Sequence, residues 1–124
     1  MSISWRIADG LVRIESSDET TVDEWRGAVD SIPAHVEYRR GMGVLHDFRK
    51  LRVAMPIPGM EERVNYLVAH AADFGPTRWA VVVARDVDFG MGRMAQVLLQ
   101  SGRLIEIRVF RDPGEAEEWA RARP

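Results

Sequence analysis

The run Arg78-Trp79-Ala80-Val81-Val82-Val83-Ala84 constrains this chain more than any other stretch. Six apolar residues follow the arginine, and no polar residue alternates with them. That is the pattern of a strand buried on both faces, which belongs to a largely parallel sheet with helices packed against it. The remaining sequence must therefore supply crossover helices and further strands.

It does so in a regular order. Apolar and polar residues alternate on both sides of Asp9-Gly10, the strongest short hairpin signal, which predicts strands over 3–8 and 11–16. Thr21 and Glu24 form a capping box ahead of Val22, Trp25, Val29 and Ile32, predicting a helix over 22–32 that stops at Pro33. Residues 43–49 read as a strand, and 52–59, with two prolines, as a loop. Met60, Val64, Leu67, Val68 and Ala71 make a helical stripe ending near Phe74-Gly75-Pro76. Met91, Met94, Ala95 and Leu98 make another, stopped by Gly102. Residues 104–110 form the last strand, and Asp112, Pro113 and Glu115 open the last helix as N-cap, first-turn proline and N3 acid.

The order is ββαβαβαβα. We expect one domain over 1–124, an α/β fold with a five-stranded mixed, mostly parallel sheet and four main helices. Val44, Val81, Val83, Ile107 and Trp119 are its expected core. The second and last strands alternate cleanly, so much of one sheet face is expected to be polar, with the helices mainly on the other.

Composition removes several functions. At 124 residues the chain is too short for a protein kinase, and it lacks that family's remaining motifs, so Asp88-Phe89-Gly90 is a chance match. Seventeen basic and 19 acidic residues are spread without a basic block, which argues against nucleic acid. No cysteine is present, so disulfides and zinc-thiolate sites are out. No apolar run approaches the length of a membrane span, and the expectation is a cytoplasmic protein.

Three stretches resemble the bacterial SpoIIAA-like proteins of the STAS superfamily: Gly43–Leu51, with Asp47 closing the central strand; Asp88–Met94, similar to a helix start frequent among the uncharacterised members; and Ile105–Ala120. The resemblance implies the fold above and a binding role. It does not extend to the phosphorylation switch of anti-sigma factor antagonists, because residues 32–76 contain no serine or threonine to accept phosphate.

Candidate chemistry is sparse. His35, His46 and His70 lack metal-ligand spacing, no serine sits in a nucleophile elbow, and adjacent glutamates point to different sides of a helix. Gly90-x-Gly92 lacks the other marks of a phosphate loop and reads as room for close helix packing. No catalytic residue, metal or cofactor is expected. In open parallel sheets, ligands bind beyond the carboxyl ends of the strands. That rule nominates Asp47, Arg49, Arg85, Asp88, Gly90 and Arg93 as a ligand site, with Asp88 as N-cap and Arg93 about one turn into its helix. The expected role is a non-catalytic module for a small anionic or apolar ligand or a protein partner, and a pocket lined by Met60, Met91 and Phe89 would favour it. The alternatives are a homo-oligomeric interaction module without a ligand and, more remotely, an enzyme of unrecognised type. A homodimer is expected in any case, since so small a domain has more apolar surface than four helices cover.

Overall fold

The computed structural model describes residues 2–99 and 104–122. Strands β1 (Ile3–Ala8) and β2 (Leu11–Asp18) form an antiparallel hairpin around Asp9 and Gly10. Both turn residues have positive φ, 54° and 77°, as a two-residue turn matched to strand twist requires. Helix α1 (Val22–Ser31) follows, with Thr21 and Glu24 exchanging the two bonds of the capping box. Then come β3 (Val44–Leu51), α2 (Ile57–Ala69), the single turn α3 (Ala71–Phe74), β4 (Thr77–Val82), α4 (Asp86–Leu98), β5 (Ile105–Phe110) and α5 (Pro113–Arg121).

The sheet order is β1-β2-β3-β4-β5, with every pair after the hairpin parallel. Each crossover steps in the same direction, so a constant handedness puts all the crossover helices on one face. Trp25, Val29 and Ile32 of α1 and its C-cap, Met60, Val64 and Leu67 of α2, and Met91 and Ala95 of α4 share one core there with Val12, Ile14, Val44, Trp79 and Ile107. Only α5 covers the other face, where Ala116 and Ala120 pack on Leu11, Leu45, Ala80, Val82 and Phe110. This explains the unalternating run: β4 lies under helices on both faces and occupies an interior position of the sheet. Beside α5 the same face carries Arg6, Arg13, Glu15 and Asp47, the polar half-face the alternation foretold.

Some boundaries and burials differ from expectation. Helix α2 begins at Ile57 rather than 60. Pro56 is its N-cap, and Pro58 stands in the first turn, where a missing N–H removes no helical bond. Helix α4 begins at Asp86, so its N-cap is Arg85, not Asp88, and Arg93 is its eighth residue. Of the expected core, Val44, Val83 and Ile107 are buried, but Val81 and Trp119 only partly. Met94 and Leu98 face outward. Gly102 lies outside the described residues. Among the described residues no helix is long and apolar enough to cross a membrane.

Candidate functional site

A cavity of about 90 Å³ lies between the sheet and the pair α2–α4. Its floor is Phe48, Trp79, Val81, Val83 and Ile107. Its roof is Met60, Val64 and Leu67, spaced i, i+4, i+7 on α2, with Met91 and Ala95, spaced i, i+4 on α4. Phe89 takes no part, and its ring lies under the Arg111 guanidinium, 4.7 Å from carbon to centroid. A second cavity of about 200 Å³ opens beside the first, where the turn before α1 meets the loop before α2; Thr20, Val22, Pro56 and Gly59 line it. Phe48, Leu51, Met55 and Arg63 belong to both, so the two form an inner chamber and its mouth.

Three polar groups punctuate this apolar wall. His46, 2% exposed, places Nε2 2.8 Å from the fully buried Ser16 hydroxyl, and the Phe48 ring stacks on the imidazole at 3.9 Å. Burial first, and then the positive field of Arg63, push the His46 pKa down to about 3, against a smaller upward pull from Asp47. The imidazole is therefore neutral at physiological pH. Arg63, 7% exposed, donates from Nη1 to the Gly59 carbonyl at 3.1 Å and from Nη2 to the Thr20 carbonyl at 2.8 Å. Its Nε is buried without a partner among the described residues, and burial lowers its pKa. Asp88, in the first turn of α4, is buried and bound by Arg85 Nε at 2.7 Å. Arg85 Nη1 also reaches the Arg52 carbonyl at 3.2 Å, tying the loop after β3 to the start of α4.

The nominated site residues separate into three places. Asp47 and Arg49 lie on the α5 face, in a groove shared with Arg13, Glu15 and Glu117. Burial would raise the Asp47 carboxyl, but side-chain and backbone hydrogen bonds from Arg49 outweigh it and hold the carboxyl below its ordinary range. Arg85 and Asp88 stand on the opposite face, and of the six only Asp88 lines the inner chamber. Gly90 and Arg93 are on the exposed side of α4, and Arg93 forms no ion pair among the described residues. The close-packing role falls to Gly92, where an added Cβ would lie 2.6 Å from Val109 Cγ2.

Sequence reading missed His46, Ser16 and Arg63. Ser16 and His46 meet only through the parallel register of β2 and β3, which shifts between Glu15 and Ser17. Arg63 follows the exposed pair Glu61-Glu62 and so looks like a solvent-facing residue. The one available signal was its place next to Val64 in the apolar stripe.

These features define an α/β protein of the SpoIIAA-like fold. The structure is similar to the crystal structure of an uncharacterised DUF3478-family protein with that fold from Shewanella loihica PV-4. The TM-score is 0.64 at 13% identity, over 95% of this chain and 91% of the other. At that identity the likeness is one of fold. No family model matches the chain, and no curated protein matches its sequence.

Proposed function

We propose that this protein is a non-catalytic binding module whose ligand occupies the chamber roofed by α2 and α4. The observation carrying this reading is the chamber itself, a largely apolar cavity with methionines on two facing helices, which re-pack readily around a guest. The Ser16–His46 contact has the form of a nucleophile and its base, yet lacks what that chemistry needs. Ser16 is wholly buried, no carboxylate bonds the imidazole among the described residues, and a pKa near 3 leaves a poor base at neutral pH. The reading keeps the protein cytoplasmic, outside the phosphoswitch class and without nucleic-acid contacts.

Trp25 and Trp79 line the chamber, so binding should alter intrinsic fluorescence. Small apolar and amphipathic compounds are expected to change the emission and raise the melting temperature. Ala95→Leu, which fills the chamber, should remove both responses; a folded Ala95→Leu protein responding as strongly as wild type would overturn the reading.

A specific observation also favours a homodimer. Helix α4 exposes Val87, Met94, Val97 and Leu98 along one side, a contiguous apolar strip of the kind that marks contact surfaces.

A further inference from the structure

We infer that the chamber's ligand is an amphipathic carboxylate, with its apolar end in the inner chamber and its head in the mouth against Arg63. The inference rests on reading the chamber as a ligand site and adds the chemical class of what enters it.

The argument starts from an incomplete ion. Arginine cannot shed its proton to escape burial, so a buried guanidinium calls for an anion. Among the described residues, buried Arg63 donates only to the carbonyls of Gly59 and Thr20, and its Nε has no partner. The Trp25 ring, 5.9 Å from the guanidinium carbon, is a weak substitute for a counter-ion. Of the nearby carboxylates, Glu62 is occupied by Arg26 at 3.7 Å, and Glu19, on the rim of the mouth, is exposed and makes no bond to Arg63. Every buried carboxylate in the vicinity is spoken for too, since Asp88 belongs to Arg85. The cation is thus left facing the mouth without an anion among the described residues.

A second feature points the same way. Helix α2 starts at the mouth through Pro56 and Gly59, has no side-chain cap and carries no acid in its first turn. Its positive end therefore adds to Arg63 rather than being neutralised. The inner chamber supplies the other half of the specification. Apart from Arg63 itself, His46, held neutral, and Asp88, tied to Arg85, the wall around Met60, Leu67 and Met91 is apolar. At about 90 Å³ it is smaller than the ~150 Å³ void that takes up a benzene ring, so it suits the end of a short alkyl chain. The head then falls in the larger mouth.

The test is isothermal titration of the full chain with octanoate, octyl sulfate and octan-1-ol, using wild type, Arg63→Met and Arg63→Lys. Wild type should bind octanoate, and Arg63→Met should weaken it at least tenfold while leaving octanol unchanged. Arg63→Lys, which keeps the charge but loses the planar fork, should lose less. This variant carries the test if the methionine protein does not fold. Stronger binding of octyl sulfate than octanoate would replace the carboxylate with another anion and overturn the stated class. Octanol binding as tightly as octanoate, with both Arg63 variants unchanged, would sink the anionic head but leave the chamber as a site. Absence of binding by all three compounds to wild type would remove the chamber reading itself, and this inference with it.

Discussion

His46 shows how a single residue escapes a sequence and yet governs a solution property. Its strand, Val44-Leu45-His46-Asp47, was recognisable, but nothing local announced that the imidazole is buried or that Ser16 is its partner thirty positions earlier. That pairing depends on register between strands joined by a whole helix. The consequence is a pH effect of definite sign. The folded-state pKa of about 3 lies below the ordinary value of 6.5, so the unfolded chain binds the proton more tightly. The stabilisation is complete above pH 6.5 and is lost as pH falls toward 3, at up to ~1.4 kcal/mol per pH unit. Carboxylates lowered in the fold, such as Asp47, act below their own ordinary pKa, so the interval from 6.5 down to about 5 isolates the histidine. Urea titrations across that interval should show stability falling with acidity in wild type and a flatter profile in His46→Gln. Equal slopes would show that His46 is not the group responsible.

At the scale of elements, the sequence was clearest where backbone chemistry is local. The Asp9-Gly10 turn, the capping box at Thr21 and the Asp112-Pro113 start of α5 are all present as read. The errors fell on helix starts, where apolar periodicity alone is a poor guide. Helix α2 begins before its first buried methionine, and α4 begins with Asp86-Val87-Asp88, whose acids suit the positive end of a helix. The two glycines of α4 then separate cleanly by environment. An added Cβ at Gly92 would press into Val109, whereas nothing lies within 4 Å of the same atom at Gly90. Gly92→Ala should therefore destabilise by ~1–3 kcal/mol through overpacking. Gly90→Ala should stabilise the monomer by ~0.5–1 kcal/mol, because alanine loses less backbone entropy in a helix. Chemical denaturation measures both, and opposite signs are the essential expectation.

At the scale of the whole molecule, topology decides what is left uncovered. A sheet whose strands follow chain order gathers its crossover helices on one face, so α5 alone must serve the other. The alternation of β2 and β5 made that imbalance legible, whereas the chamber was not. A chamber arises from how α2 and α4 diverge above the sheet, which no single stretch encodes. The nominated ligand cluster scattered for a related reason: β3 residues two apart share one face of the sheet, whereas α4 starts over the other. Asp47 and Arg49 accordingly went to the α5 side and Asp88 to the other.

The same one-sided arrangement leaves α4 as an outer helix, and its exposed strip bears on association. Val97 is 64% exposed and Val87 51%, with Leu98 and Met94 beside them, so one helix carries four apolar side chains into solvent. Gly90 lies in that strip with open space above it, which lets another helix approach closely without a side chain to displace. A twofold arrangement in which α4 packs on its own copy would cover both the apolar residues and the glycine. Arg93, without an ion pair among the described residues, would then sit at the margin of the contact, where charge favours register over affinity. Light scattering at micromolar concentration should return a mass near twice the 14.1 kDa of the chain, and Leu98→Glu should reduce it to one chain while leaving the circular dichroism unchanged. The glycine supplies a sharper discrimination. Substituting Gly90 by a bulkier residue such as leucine should weaken the dimer yet spare the monomer, because no described part of the chain occupies that space. A wild-type mass of one chain would refute the association outright, and a dimer indifferent to both substitutions would move the interface away from α4.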